Sequence, residues 1–561
     1  MKLNRIHLLA LTLLILAVTI NAQVENVPIE HNVYNFLKEM KVKGIIHSIH
    51  EDNPYMSVGE VYNKLKLIRE HSTALSSTEA SLLKKYIVEF DIVNQNKLNT
   101  FELFGNGDQY SSSFSDFWSD KKKYSIIYKD SALTFFFNIL GNAKYGHQFN
   151  PSVTDAELYD IGIRFKGTLL KNFGYSLSVQ KGGVSGSEPF ATQIDPRLLY
   201  NFKFVEAVEN IGNYDFTEGY LKYHTQPVEN MNIDFQIGRE KTKMGYGYGS
   251  KLILSGDHAL LDFVRFNFNY GVFSFTSMHA STVGRFLWER EQNYTKQIAI
   301  NRFKLNFKDV LEFGLGESII YSGRGIDLAY LNPFIFYKFV EMSLQDRDNG
   351  AVWLDLQTHA FDNVEFQFTF FLDENILSHL EELNLFTNKT AYQLGAFWYS
   401  PLGINDLSLI TEYTRIRPYV YAHYNFRNTY TSWDQVLGHR IGPNSDEILF
   451  KLNYNINEKM TAYGEFRSVR SGENIYDAEG NLHYNAGGDP FVIHRDGIEA
   501  RYIDFLSGER INHQIISAGL RFEPIRDFTF DFNYRFIHEN KITRELVKTN
   551  SFFSVKLSFE M

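Results

Sequence analysis

The chain has no cysteine. That excludes disulfide staples, thiolate metal sites, a cysteine nucleophile and a lipid anchor on cysteine. Positive charge is not in excess: 56 Lys and Arg stand against 66 Asp and Glu, a formal charge of −10. The electrostatic footprint of a nucleic-acid binder is therefore missing. Beyond residue 23 no apolar run approaches the roughly 20 residues that a membrane-crossing helix needs. Catalytic constellations are scarce as well. No H-E-x-x-H occurs, "GGVSG" (182–186) misplaces Ser185 for a G-x-S-x-G elbow, and "GYGYGS" (245–250) lacks the spacing and following helix of a dinucleotide loop. The Gly-rich stretch reads as a flexible loop, or as a turn that needs positive φ. No catalytic residue, cofactor or metal site is expected.

What is present begins with "MKLNRIHLLALTLLILAVTINAQ". Lys2 and Arg5 form a positive start, Leu8 to Ile20 an apolar stretch, and Ala22 a small residue before a cleavage point at Gln23. This is the pattern of a secretory signal peptide over residues 1–22.

Residues 23–97 carry a helical period. Val33, Phe36, Leu37 and Met40 are spaced i, i+3, i+4, i+7, as are Val58, Val61, Tyr62 and Leu65, and Leu83, Tyr86, Ile87 and Phe90. Each set lays one apolar stripe along an α-helix. Ser57 with Glu60 and Ser76 with Glu79 fit capping boxes, and Gly44 suits the end of the first helix. Three short helices are predicted, forming a periplasmic segment. Residues 98–130 read as a linker or partial plug.

From residue 131 to 561 the period changes from 3.6 to 2. In "FTFDFNYRF" (528–536), Phe528, Phe530, Phe532, Tyr534 and Phe536 share one face and Thr529, Asp531, Asn533 and Arg535 the other. The same alternation returns at 159–166, 173–180, 231–238, 264–270, 364–370 and 448–456. Such runs are strands with one apolar and one wet face. The polar faces carry charges of both signs, among them Arg164, Lys166, Asp234, Arg265, Glu312, Glu365 and Lys451, which suits a hydrated interior. Short turns near 307–309, 361–363, 402–405, 457–458 and 524–526 alternate with long polar connections near 281–295, 323–348, 373–390, 418–445 and 471–511. Short turns on one side and long loops on the other mark an outer-membrane barrel, whose closure removes exposed strand edges. About eighteen antiparallel strands are predicted, with both chain ends at the periplasmic side. The fold class is thus an all-β transmembrane barrel with a small N-terminal α-helical segment.

Three functions fit such a barrel to different degrees. A lipid-cleaving enzyme needs a Ser, a His and an orienting amide on the lipid-facing wall. Ser277 and His279 share a strand face but are too far apart along it for a direct hydrogen bond. A channel for small solutes is favoured by the charged faces and opposed by the long loops and residues 98–130. Binding of sugars is favoured by loops that mix aromatics with charges and amides, such as "YAHYNFRNTYTSWDQVLGHR" (421–440) and "YDAEGNLHYNAGGDPFVIHRDG" (476–497).

Several stretches resemble one family. "NPYMSVGEVYNKL" and "LSSTEASLLKKYIVEF" in the helical segment, "IGREKTKMGYGYGSKLILSGDHALLDFVRF" (237–266), "GESIIYSGRGIDLAYLNPFIFYKFVE" (316–341) and "DNGAVWLDL" (348–356) are similar to the capsule assembly protein Wzi family. The resemblance implies an eighteen-stranded outer-membrane barrel that holds capsular or other surface polysaccharide, lectin-like and without catalysis. On that reading the polysaccharide-binding candidates are Arg239, Tyr246, Tyr248, Arg324, Asp327, Tyr330, Asn332 and Asp348. The expected partners are outer-membrane lipid, surface polysaccharide and the barrel assembly machinery.

The chain closes on "SFFSVKLSFEM", with apolar residues through Phe559 alternating with Ser554, Lys556, Ser558 and Glu560. This reads as the last barrel strand, pairing with the first. Phe559 is the expected assembly signal, although Met561 occupies the final position.

Overall fold

The computed structural model describes residues 23–203, 212–284, 294–307, 310–345, 347–374 and 381–561. The signal peptide expected at 1–22 lies outside the described residues. Among them, eighteen long strands follow in chain order. They are β1 (Thr134–Asn150), β2 (Thr154–Leu169), β3 (Phe173–Gly186), β4 (Gly212–Thr225), β5 (Met231–Glu240), β6 (Leu261–Tyr270), β7 (Phe273–Val283), β8 (Thr295–Phe307) and β9 (Leu311–Ser322). β10 (Asn349–Phe361), β11 (Val364–Asp373), β12 (Thr390–Tyr399), β13 (Leu407–Ile416), β14 (Ser445–Asn457), β15 (Met460–Glu473), β16 (Glu509–Ile525), β17 (Phe528–Lys541) and β18 (Leu546–Glu560) complete the set. Each pairs antiparallel with the next, and β18 pairs with β1, so the sheet is a closed barrel. Two short segments, 126–129 and 202–203, add to the same sheet.

The alternation works as the sequence implies. Asp234, Arg265, Glu312 and Glu365 are buried inside, while Ile237, Phe235, Leu394 and Phe450 stand exposed on the outer wall. At the end holding the C-terminus the connections are short, for example 271–272, 362–363 and 458–459. At the other end lie 241–260, 323–348, 374–389, 417–444 and 474–508. The exceptions at the long-loop end are 151–153 and 542–545, close to the seam.

At the seam Phe559 sits opposite Gly141 and Val555 opposite Tyr145. The Phe559 ring lies over Gly141, where a Cβ would come within 2.3 Å of it. Met561 continues the ladder: its amide donates to the Ile139 carbonyl at 3.0 Å.

The helices form where their stripes place them: α1 (Val33–Val42), α2 (Val58–Glu70) and α3 (Ser77–Phe90). Both capping boxes are complete, with Glu60 and Glu79 returning the bond to the N-cap amide. Gly44 follows α1 at φ +79°. The three stripes meet in one apolar core built on Phe36, Leu37, Met40, Val61, Leu65, Leu83 and Tyr86.

This module closes the short-turn end of the barrel from within. Lys38 of α1 bonds Glu365, and Lys41 reaches Glu365 at 3.3 Å and Glu312 at 4.0 Å. The turn after α1 rises further: Asp52 pairs with Arg302 and with Lys304 at 2.8 Å, and Asn53 donates to Thr276 at 3.0 Å. On the opposite wall Arg526 pairs with Glu89 at 2.9 Å. Residues 100–102 pair in parallel with 122–124, beside the C-terminus, where the Ser125 hydroxyl donates to the Met561 carbonyl at 2.6 Å.

Candidate functional site

The lumen is also filled from the long-loop end. Residues 241–260 turn inward between β5 and β6 and meet the helical module halfway. The Gly245 amide donates to the Asp52 carbonyl at 2.9 Å, and the Lys251 ammonium to the Glu51 carbonyl at 3.1 Å. Gly245 and Gly247 hold φ of +90° and +141°, so positive φ is what this Gly-rich stretch requires. A Cβ on Gly247 would fall within 2.6 Å of the Gln393 side chain. Residues 417–444 fold over this loop in turn: the Tyr421 hydroxyl donates to the Leu252 carbonyl at 2.9 Å, and the Ser255 amide to the Leu437 carbonyl at 2.9 Å. Leu252, Ile253, Leu254, Val420, Tyr421 and Leu437 make a dry core across the barrel interior.

The eight candidates from sequence fall in three places. Tyr246 and Tyr248 lie in the lumen, with hydroxyls on Glu312 at 2.5 Å and Glu365 at 2.8 Å. Arg324, Asp327, Tyr330 and Asp348 form one network: Arg324 is bidentate on Asp348 at 2.9 and 2.6 Å, and Tyr330 donates to Asp348 at 2.8 Å. Asn332 lies exposed in the same segment. Arg239 points outward at the end of β5, paired with Asp262 at 2.8 Å. Ser277 and His279 are not joined. The His279 Nε2 shares a hydrogen bond with the Tyr321 hydroxyl at 2.8 Å. Among the described residues no group of three His, Asp or Glu is placed to hold a metal ion.

A vestibule of about 630 Å³ opens between the inward-folded residues 440–443 and the wall formed by β14 to β18. Its lining mixes Arg440, Arg467 and His513 with Glu447, Glu539 and Asn550. Arg440 pairs with Glu447 at 2.8 Å, His513 with Glu539 at 3.2 Å, and Asn550 donates to Gln193 at 2.8 Å. Three buried atoms here, Arg440 Nε, Glu447 Oε2 and Arg467 Nε, have no hydrogen-bond partner among the described residues. Buried polar atoms of this kind call for a ligand or water. Burial, with Arg440 and Arg467 adding to it, pushes His439 well below the usual imidazole range, so it lies neutral beneath the vestibule. Above the barrel Tyr424, Phe426, Tyr476, Tyr484 and Tyr502 are exposed. Sequence reasoning named the loops that supply these aromatics but not the vestibule, because its walls come from strands whose inward residues look like any hydrated lumen.

A sequence profile of the family described as capsule assembly protein Wzi matches residues 143–489, more than half of the chain. The chain belongs to the capsule assembly protein Wzi family. The matched region runs from β1 to the connection after β15 and contains both inward-folded loops. Among solved structures the chain is similar to Wzi of Escherichia coli, an outer-membrane protein involved in group 1 capsule assembly and described as a carbohydrate-binding β-barrel. The identity is 13% and the TM-score 0.55, covering 96% of this chain and 99% of that one. OccK8 (OprE) of Pseudomonas aeruginosa matches at 8% identity and TM-score 0.43, covering 76% and 98%. OprD of the same organism matches at 10% and 0.41, covering 79% and 98%. No curated protein sequence matches the chain. As a member of this family with a closed eighteen-stranded barrel, the protein is an outer-membrane protein of the capsule assembly class.

Proposed function

We propose that the protein holds capsular or other surface polysaccharide at the outer face of the outer membrane, as a lectin and without catalysis. The observation that carries this is the vestibule: its walls mix charged and amide groups, several of whose buried atoms lack a hydrogen bond, and the loops at the same end of the barrel expose aromatic side chains. Amides, carboxylates and arginines bond sugar hydroxyls, and aromatic faces pack against the C–H faces of sugar rings. Tyr246 and Tyr248 have a supporting part, since they hold the inward loop whose Ser250 hydroxyl accepts the Arg440 amide at 3.4 Å. Arg239, Arg324, Asp327, Tyr330, Asn332 and Asp348 lie on the outer flank, where they support loop placement. Residues 23–97 act as a periplasmic plug and 98–130 as its linker. The filled lumen favours holding over free passage of solutes.

Two measurements test this. Deleting the gene releases capsule from cells without stopping its synthesis; unchanged cell-bound capsule contradicts the reading. A glycan screen on the refolded barrel returns surface polysaccharide fragments. Arg440→Ala then weakens that binding about tenfold, the loss of about 1.4 kcal/mol expected for one charged hydrogen bond.

A further inference from the structure

Residues 323–345, between β9 and β10, do not stand above the barrel mouth. They run down its outer wall. Phe334 stacks on Phe275 with ring centroids 6.2 Å apart and planes 16° from parallel. Phe275 sits opposite Phe303, and Phe303 opposite Leu315, seven residues below the point where the chain leaves the sheet at Ser322. At about 3.3 Å per residue the segment descends roughly 20 Å along the strands. That is most of the height of the apolar band of an outer-membrane barrel.

The wall beneath is modified to receive it. On the outward faces of β8 and β9, where apolar side chains are the rule, stand Asn301, Glu317 and Tyr321. Each serves the backbone of the segment. Glu317 accepts the Tyr337 amide at 2.9 Å, and Tyr321 accepts the Asp327 amide at 2.9 Å through its hydroxyl. Asn301 donates to the Ile335 carbonyl at 3.4 Å, and the Tyr337 hydroxyl donates to the Tyr330 carbonyl at 3.2 Å. Tyr330 and Tyr337 are buried against Ala299, Ile319 and Tyr321. The Arg324–Asp348 pair ties the two ends of the segment together. The outer side is the reverse: Leu328, Phe334, Phe336, Phe339 and Met342 are 79, 81, 56, 73 and 64% exposed.

Irregular backbone at membrane depth is tolerated only where protein groups satisfy its amides and carbonyls. Wall side chains supply that here, whereas a loop in water has no need of it. Large apolar side chains clustered outward mark a contact surface, and this one continues the bare apolar wall on either side.

We propose that residues 323–345 form a strap immersed in the membrane, whose outer face contacts the acyl chains of outer-membrane lipid. The cysteine-free chain allows a direct test. Phe339→Cys and Met342→Cys, each labelled with an environment-sensitive fluorophore, are refolded as full chains into phosphatidylcholine vesicles and checked for heat-modifiable gel mobility. Leu394→Cys on the bare wall and Tyr424→Cys on an exposed loop are the references. Labels at 339 and 342 should be quenched by nitroxide-bearing acyl chains as strongly as at 394, and by aqueous iodide at least threefold less than at 424. Iodide quenching at either position within threefold of that at 424 overturns the proposal.

Discussion

Asp52 holds two cations at once in the middle of the barrel, Arg302 and Lys304, and Arg302 keeps Asp355 at 2.7 Å as its second partner. Removing a buried carboxylate leaves its cations uncompensated, which costs more than the pair itself contributes. Asp52→Ala should therefore destabilise the folded barrel by about 3–5 kcal/mol in urea unfolding. Glu39 of α1 behaves differently. It is buried, and among the described residues only the Asn455 amide donates to its carboxylate, at 3.0 and 3.1 Å. Burial, with Glu79 and Asp406 nearby, pushes its carboxyl from the ordinary 4.5 up to about 8. Its contribution to stability is thus fully present below about pH 4.5 and is lost as pH rises through about 8. Glu39→Gln should flatten that dependence and raise stability at pH 8 by about 1–3 kcal/mol, measured as the difference in urea midpoints between pH 5 and pH 8. Single residues are also where the sequence was least legible. Nothing in the sequence singles out Glu317 and Asn301, and only the segment packed on them gives these two side chains a purpose.

At the scale of elements, strands and helices were legible because each has a period, and the capping boxes because their partners are three residues apart. The paths of the loops were not. Residues 241–260 and 323–345 leave the same end of the barrel, yet one turns into the lumen and the other down the outer wall. Their routes are set by side chains on distant strands, such as Gln393 and Glu412 for the first and Glu317 for the second. The inward loop also gives a prediction of its own. Replacing residues 245–251 with a short turn removes the plane of contact with Glu51 and Asp52, and should raise single-channel conductance in planar bilayers well above that of the intact chain.

The whole molecule depends on one seam. β18 and β1 are separated by nearly the full chain, yet they close the sheet through Phe559 over Gly141 and Met561 on Ile139. Phe559→Asp places a charge on the lipid side of that seam and should block assembly, seen as loss of the folded, heat-modifiable band from outer-membrane fractions. The barrel and its strand number were legible because alternation and connection length are properties of the chain as a whole. The vestibule was not, because it exists only once strands hundreds of residues apart stand side by side.

The helical module has a consequence for how the molecule is made. It precedes every barrel strand in the chain, yet its lysines and Asp52 wait for β8 to β11, and Glu89 waits for Arg526, which is delivered near the end of the chain. Until then its buried-charge side has no wall to meet. As each strand arrives, the module can serve as the mandrel around which the sheet is wound, so that the diameter of the finished cylinder is gauged from within before the seam is sewn.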